Sequence, residues 1–190
     1  MLDSRRSKKV LLSWSSGKDS YWALRLLRKQ PNVEVVALLT MFNSAFDRVA
    51  MHAVRRELVA AQARSLSLPL WSVELPWPCP NHTYECQMSS ICDRASTAGI
   101  SSIAFGDLFL RDIREYRERQ LRNTGLEPLF PLWELATEQL AADMIAGGTR
   151  AVHRSRHEPG FICLIASSCA SSSLHFFRCF LVSMGAFRSR

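Results

Sequence analysis

The chain has 190 residues, 47% of them hydrophobic and 22% charged, with a formal net charge of +7. That size and apolar content allow one well-packed core and exclude a wholly disordered chain or a small scaffold stapled by disulfides. Five arginines against the single acid Glu158 in residues 151–190 supply most of the positive balance, so it is weak evidence for a nucleic-acid surface.

The apolar run Val10-Leu11-Leu12 predicts a strand over Lys9 to Trp14. It leads through the polar turn Ser13-Trp14-Ser15-Ser16-Gly17-Lys18-Asp19-Ser20 into an amphipathic helix from about Asp19 to Lys29, stopped by Pro31-Asn32. Val33, Val35, Val36, Leu38 and Leu39 give the near-continuous apolar run of a strand covered on both faces, Glu34 to Thr40. A helix is expected from about Val49 to Leu66, since Met51, Val54, Leu58, Ala61 and Leu66 keep close to a helical period and Leu68-Pro69 ends it. Next come a strand Leu70 to Leu75, a stiff loop Pro76 to Asn81, a helix to about Ala98, and a strand Ser102 to Phe105. The segment from about Leu108 to Asn123 predicts the most charged helix, with Glu115/Arg119 and Glu118/Arg122 as i,i+4 pairs. A further helix leads through Gly147-Gly148 to the start of a fifth strand near Val152. This alternation predicts an α/β domain over residues 1–152, a Rossmann-like parallel sheet sandwiched by helices.

A strand that ends in a Ser/Gly-rich turn and passes straight into a helix aims backbone N–H groups and the positive end of the helix dipole at one spot, which makes an anion site. It is not a Walker A loop. Leu12 stands where that loop needs its first glycine, and Lys18 is followed by Asp19 rather than Ser or Thr. In a parallel sheet ligands lie beyond the carboxyl ends of the strands, so Thr40-Met41 and Gly106-Asp107 are expected to face the same crevice. As residues alone, Asp19 and Asp107 are equally readable as helix-capping carboxylates. His52 alone reads as a packed or surface histidine, and Arg117 as part of a solvated charged helix.

Ser15, Gly17, Asp19 and Ser20 match the Ser-Gly-Gly-x-Asp-Ser loop of the ATP pyrophosphatases, so the turn resembles the PP-loop of that HUP-type, adenine nucleotide alpha-hydrolase-like superfamily. Ser16 departs from it, standing where the family has Gly. If that position needs a positive φ or a close approach of backbone to phosphate, Ser costs on the order of 1 kcal/mol. Asp47 to Arg55, Leu75 to Cys79 with Tyr84-Glu85, Phe105 to Phe109, and Tyr116-Arg117-Glu118 through Thr124 to Trp133 then resemble, in order, the ATP-binding domain of diphthine-ammonia ligase and its bacterial relatives. That resemblance covers roughly residues 8 to 152 and implies an AMP-forming ligase, in which a carboxylate attacks the α-phosphate of ATP, pyrophosphate leaves, and ammonia displaces AMP to give an amide.

The resemblance implies that the backbone of Ser15, Ser16 and Gly17, the hydroxyls of Ser15 and Ser20, and Lys18 hold the departing pyrophosphate. It implies that Asp19 holds Mg2+, that Asp107 beside Gly106 is a second metal ligand or orients ammonia, and that Thr40 and Met41 hold the adenine through their backbone. Arg117 would clamp a phosphate or the acceptor's carboxylate, and His52 would belong to the nucleotide site. The implied partners are ATP, ammonia and a carboxylate acceptor, which is diphthine on elongation factor 2 where the host makes diphthamide; a homodimer is compatible with all of this.

Cys79, Cys86 and Cys92 contain no paired C-x-x-C spacing, which argues against a zinc site. Arg5 to Lys9 leads into only three apolar residues before Ser13, so no signal peptide is expected and a cytoplasmic protein with free thiols is. Residues 153–190 form an atypical tail rich in Ser, Cys and Arg, expected to be disordered or the product of a shifted reading frame. It lacks the Cys-Gly-Glu-Asn-Gly-Glu-type segment of the resembled family. Pro159 to Phe177 carries no formal charge, but its five serines, two cysteines and His175 make a poor membrane span. Two other readings stay open: an ATP-binding protein with incomplete catalysis, from Ser16 and the missing segment, and an RNA-thiolating enzyme using Cys79 or Cys86, which the absence of a Cys pair disfavours.

Overall fold

The computed structural model describes residues 7–50, 53–153 and 163–167. In chain order the elements are β1 (Lys8–Ser13), α1 (Lys18–Arg28), β2 (Val33–Asn43), β3 (Arg48–Val49), α2 (Arg56–Ser65), β4 (Leu70–Leu75), α3 (Asn81–Thr97), β5 (Ser102–Ala104), α4 (Arg111–Leu121), β6 (Glu127–Leu129), α5 (Thr137–Ala146), β7 (Thr149–His153) and β8 (Cys163–Ser167). The α/β class and the mostly parallel sheet between helices agree with the sequence.

Side chains of a strand alternate between its two faces, and in β1 that alternation divides the core in two. Val10 and Leu12 pack with Trp22, Leu24 and Leu27 of α1, Val59 and Ala63 of α2, and Leu140 and Met144 of α5. Leu11 joins Met88, Ile91, Cys92 and Ala95 of α3 with Leu121 of α4 on the other side. All three β1 residues are fully buried, which is why the strand reads as an unbroken apolar run.

The parallel strands lie in the order β4, β2, β1, β5, β6. The chain therefore moves from β1 to one side, through β2 and β4, and then resumes on β1's other flank with β5 and β6. The carboxyl ends of β1 and β5 form the switch point where such sheets bind ligands. β3 is antiparallel to β2. Phe42 and Asn43 pair with both β3 and β4, and β4 lies opposite β1 along β2, so β3 sits on β1's side just past its end. It forms a wall beside the first turn.

Four expectations need correction. The helix predicted from Val49 starts only at Arg56, because Val49 pairs with Phe42 in β3 and its N–H donates 2.8 Å to the Val54 carbonyl, closing a small hairpin that buries Val49 and Val54. Residues 51 and 52 of that stretch lie outside the described residues. β2 runs three residues past Thr40, because β3 and β4 both extend its ladder. Glu127-Pro128-Leu129 forms a strand that was not foreseen; it lies at the sheet edge, where proline's missing N–H leaves no ladder bond unmade. Finally, the strand after α5 does not join the main sheet. It pairs antiparallel with β8; residues 154–162 and 168–190 of the tail lie outside the described residues. Among the described residues no helix is long and apolar enough to cross a membrane.

Candidate active site at the first turn

The β1–α1 turn is held from three directions. The Trp14 N–H donates 2.7 Å to the Leu39 carbonyl of β2, and the Thr40 hydroxyl donates 2.8 Å back to the Trp14 carbonyl. Ser15 Oγ accepts from the Gly17 N–H and donates 3.2 Å to Ser20 Oγ, which in turn donates 2.9 Å to the Gly17 carbonyl. The two hydroxyls expected on a leaving group are thus engaged in building the turn, and backbone N–H groups remain as the anion donors. Gly17 is the N-cap of α1 and, among the described residues, no side chain caps the helix; the first-turn N–H groups of a helix have no carbonyl within the helix to meet.

Ser16 is completely buried and sits at φ 66, the left-handed conformation that favours glycine. Its hydroxyl donates 2.7 Å to Oε1 of Gln62 in α2, which also accepts 3.0 Å from Trp14 Nε1. Lys18 Nζ pairs with both carboxylate oxygens of Asp19, at 2.7 and 2.8 Å, so the two charges the sequence assigned separately to phosphate and metal meet each other.

Beyond β5 the chain turns directly over this helix start. A Cβ on Gly106 would come within 3.2 Å of the Asp19 carbonyl carbon and the Ser20 nitrogen, so a larger residue would push the two backbones apart by a few tenths of an ångström. Asp107 follows. Burial pushes its carboxyl up from the ordinary range, the Arg117 guanidinium pulls it down, and the neighbouring Asp19 carboxylate pushes it further up. These couplings place Asp19, Asp107 and Arg117 in one electrostatic neighbourhood. Among the described residues, the buried Asp107 Oδ2 and Arg117 Nε have no hydrogen-bond partner. Arg117 is nonetheless fixed: Nη1 donates 2.5 Å to the Tyr84 hydroxyl and the guanidinium lies 4.9 Å over the Phe105 ring.

The donor set fits a magnesium ion. Asp19 and Asp107 offer hard oxygens, one of them buried and unpartnered, and two carboxylates suit an ion that completes its shell with phosphate oxygens and water. Among the described residues there is no group of three or more His, Cys, Asp or Glu side chains placed to hold a metal by themselves.

The first turn, Gly106, Asp107 and Arg117 are thus brought together. Thr40 and Met41 lie in β2 beside the turn, but the Thr40 hydroxyl is committed to Trp14 and the Met41 carbonyl accepts 3.0 Å from the Ala50 N–H. His52 lies outside the described residues. Sequence reasoning missed Gln62, whose only signal was the serine in a glycine position 46 residues away.

Residues 8–128 match the family model of the diphthamide synthase N-terminal domain. The chain belongs to the diphthamide synthase family. It is thereby of the PP-loop kind, as the turn's residues implied. Among solved structures it is similar to the U34-tRNA thiolase NcsA from Methanococcus maripaludis with its 4Fe-4S cluster, at 18% identity and a TM-score of 0.44, covering 77% of this chain and 59% of that one. A search of curated proteins returned no match.

Proposed function

We propose that the diphthamide-synthase-like chain is an ATP-dependent carboxylate–ammonia ligase whose first turn binds the β- and γ-phosphates of ATP. The observation that carries this reading is the convergence of an uncapped helix start, a glycine pressed against it and a buried, unpartnered carboxylate at the switch point of a parallel sheet. The acceptor's carboxylate oxygen attacks the α-phosphorus and the bond to the bridging oxygen breaks. Pyrophosphate leaves with added negative charge, which the N–H groups from Lys18 to Ser20 and the dipole of α1 stabilise. Ammonia then attacks the acyl carbon, AMP departs, and the nitrogen loses a proton to give the amide.

Asp19 and Asp107 would hold Mg2+, which supplies charge neutralisation at the phosphates when bound. For Asp19 to do so, the Lys18 ammonium must exchange its carboxylate partner for a phosphate oxygen. Arg117 is aimed by Tyr84 and Phe105, and its fork suits the acceptor's carboxylate. Diphthine on elongation factor 2 is the acceptor this family suggests, with the reaction taking place in the cytoplasm.

The test is product identity. Incubated with Mg-ATP, ammonium and elongation factor 2 carrying diphthine, the protein should give AMP, pyrophosphate and the amidated residue in equal amounts. ADP as the nucleotide product would refute the reading; tight Mg-ATP binding without AMP would select the alternative of a nucleotide-binding protein that does not complete catalysis.

A further inference from the structure

Gln62 lies on α2, between the short motifs quoted for the family resemblance and in none of them, yet its amide oxygen accepts from two groups of the phosphate turn, Ser16 Oγ at 2.7 Å and Trp14 Nε1 at 3.0 Å. The Trp14 indole can only donate, so the amide's orientation is fixed: a flip would set Nε2 against that N–H. Nε2 itself is buried and, among the described residues, has no hydrogen-bond partner. An amide held with its own donor unpaired is oriented by what its oxygen does. The helix carrying it is anchored, since Val59 and Ala63 on either side of Gln62 are buried in the same core as Trp14.

Ser16 explains why that oxygen matters. It is fully buried at φ 66, a conformation L side chains seldom adopt, and it occupies the position where the resembled loop has glycine. Without Gln62 the buried Ser16 hydroxyl would lose the one hydrogen-bond partner it has among the described residues, and the turn would gain by relaxing out of the left-handed conformation. Relaxation there would re-aim the peptide leading into Gly17 and with it the N–H groups at the head of α1.

We propose that Gln62 is a positioning residue of the phosphate loop: by taking the Ser16 hydroxyl and the Trp14 indole it holds a non-glycine residue in glycine's conformation and so sets the loop's affinity for nucleotide phosphate. This rests on the ATP reading above. It predicts that Ser16 and Gln62 act as a pair, so that a glycine at 16 removes most of the need for the amide.

The experiment is a double-mutant cycle in the full chain with Ser16→Gly, Gln62→Met and both together, methionine keeping the length and apolar stem of Gln while removing the acceptor. Mg-ATP dissociation constants are measured by calorimetry well below the unfolding midpoint, and midpoints are measured without nucleotide. With Ser16 present, Gln62→Met should weaken Mg-ATP binding about fivefold, the effect of one lost hydrogen bond. With Gly at 16 the same change should cost less than about twofold, since the interaction being tested is already absent. Equal losses in both backgrounds overturn the proposal, as does a lowered midpoint with unchanged affinity, which would make Gln62 structural only. Failure of the parent chain to bind Mg-ATP refutes the ATP reading instead; the pair is then judged by the midpoints, where additive effects overturn it.

Discussion

Gly106 offers the sharpest test of how the site is built. The position does not have a positive φ, so an alanine there meets no torsional penalty, and any effect comes from its Cβ. That atom would lie 3.2 Å from both the Asp19 carbonyl carbon and the Ser20 nitrogen and 3.4 Å from the Asp19 carbonyl oxygen. These are backbone atoms of the first turn of α1, unable to swing aside as a side-chain end would, so the turn must move by a few tenths of an ångström. Overpacking of this kind costs about 1–3 kcal/mol. The turn is also the proposed phosphate site, and a loss of about 1.4 kcal/mol in its N–H contacts is a tenfold weaker complex. Gly106→Ala is therefore expected to lower urea-unfolding stability by that amount and to weaken Mg-ATP binding about tenfold by calorimetry. A stability loss with unchanged Mg-ATP affinity would refute the placement of the nucleotide.

Three further outcomes follow. The Asp107 carboxyl titrates higher when folded than when unfolded, so the native state binds the extra proton in that window and stability falls as pH rises through it from the ordinary value of 3.8. Asp107→Asn should accordingly be more stable than the parent at pH 7, with the gap closing toward pH 3.8 in urea melts, while Mg-dependent turnover is lost; equal stability at both pH values would contradict the burial argument. Arg117→Lys removes the planar fork from Phe105 and Tyr84 and should raise the acceptor's KM while leaving Mg-ATP affinity within about twofold. An unchanged KM would remove Arg117 from the acceptor site. Leu27→Ala, at a residue 1% exposed in the α1 face of the core, should cost about 2–5 kcal/mol in urea unfolding without altering Mg-ATP affinity of the folded protein.

What the sequence made legible is what local chemistry controls. The first two strands announce themselves because residues buried on both faces leave continuous apolar runs, and the turn does so because few residue types can line an anion site. Other parts depend on partners distant in sequence. β3 is two residues long and exists through Phe42 and Asn43, so Val49, Val54 and Leu58 look helical when read alone. β6 has proline at its centre and is a strand only because it falls at the edge. The sequence raised the question of glycine's conformation at position 16, and the answer, φ 66, brought in Gln62, which no spacing rule connects to it. The Ser15 and Ser20 hydroxyls were read as donors to phosphate because that is the chemistry of hydroxyls near an anion. In the folded turn each already has a nearer acceptor.

The central claim is that this turn receives the pyrophosphate released by attack of a carboxylate on ATP. The most direct measurement is exchange of labelled pyrophosphate into ATP, with Mg2+ present, ammonia absent, and elongation factor 2 carrying diphthine as the carboxylate. Exchange that requires the acceptor and is lost in Asp19→Asn is the expected result. Mg-ATP binding with no exchange, or exchange indifferent to Asp19, would contradict it.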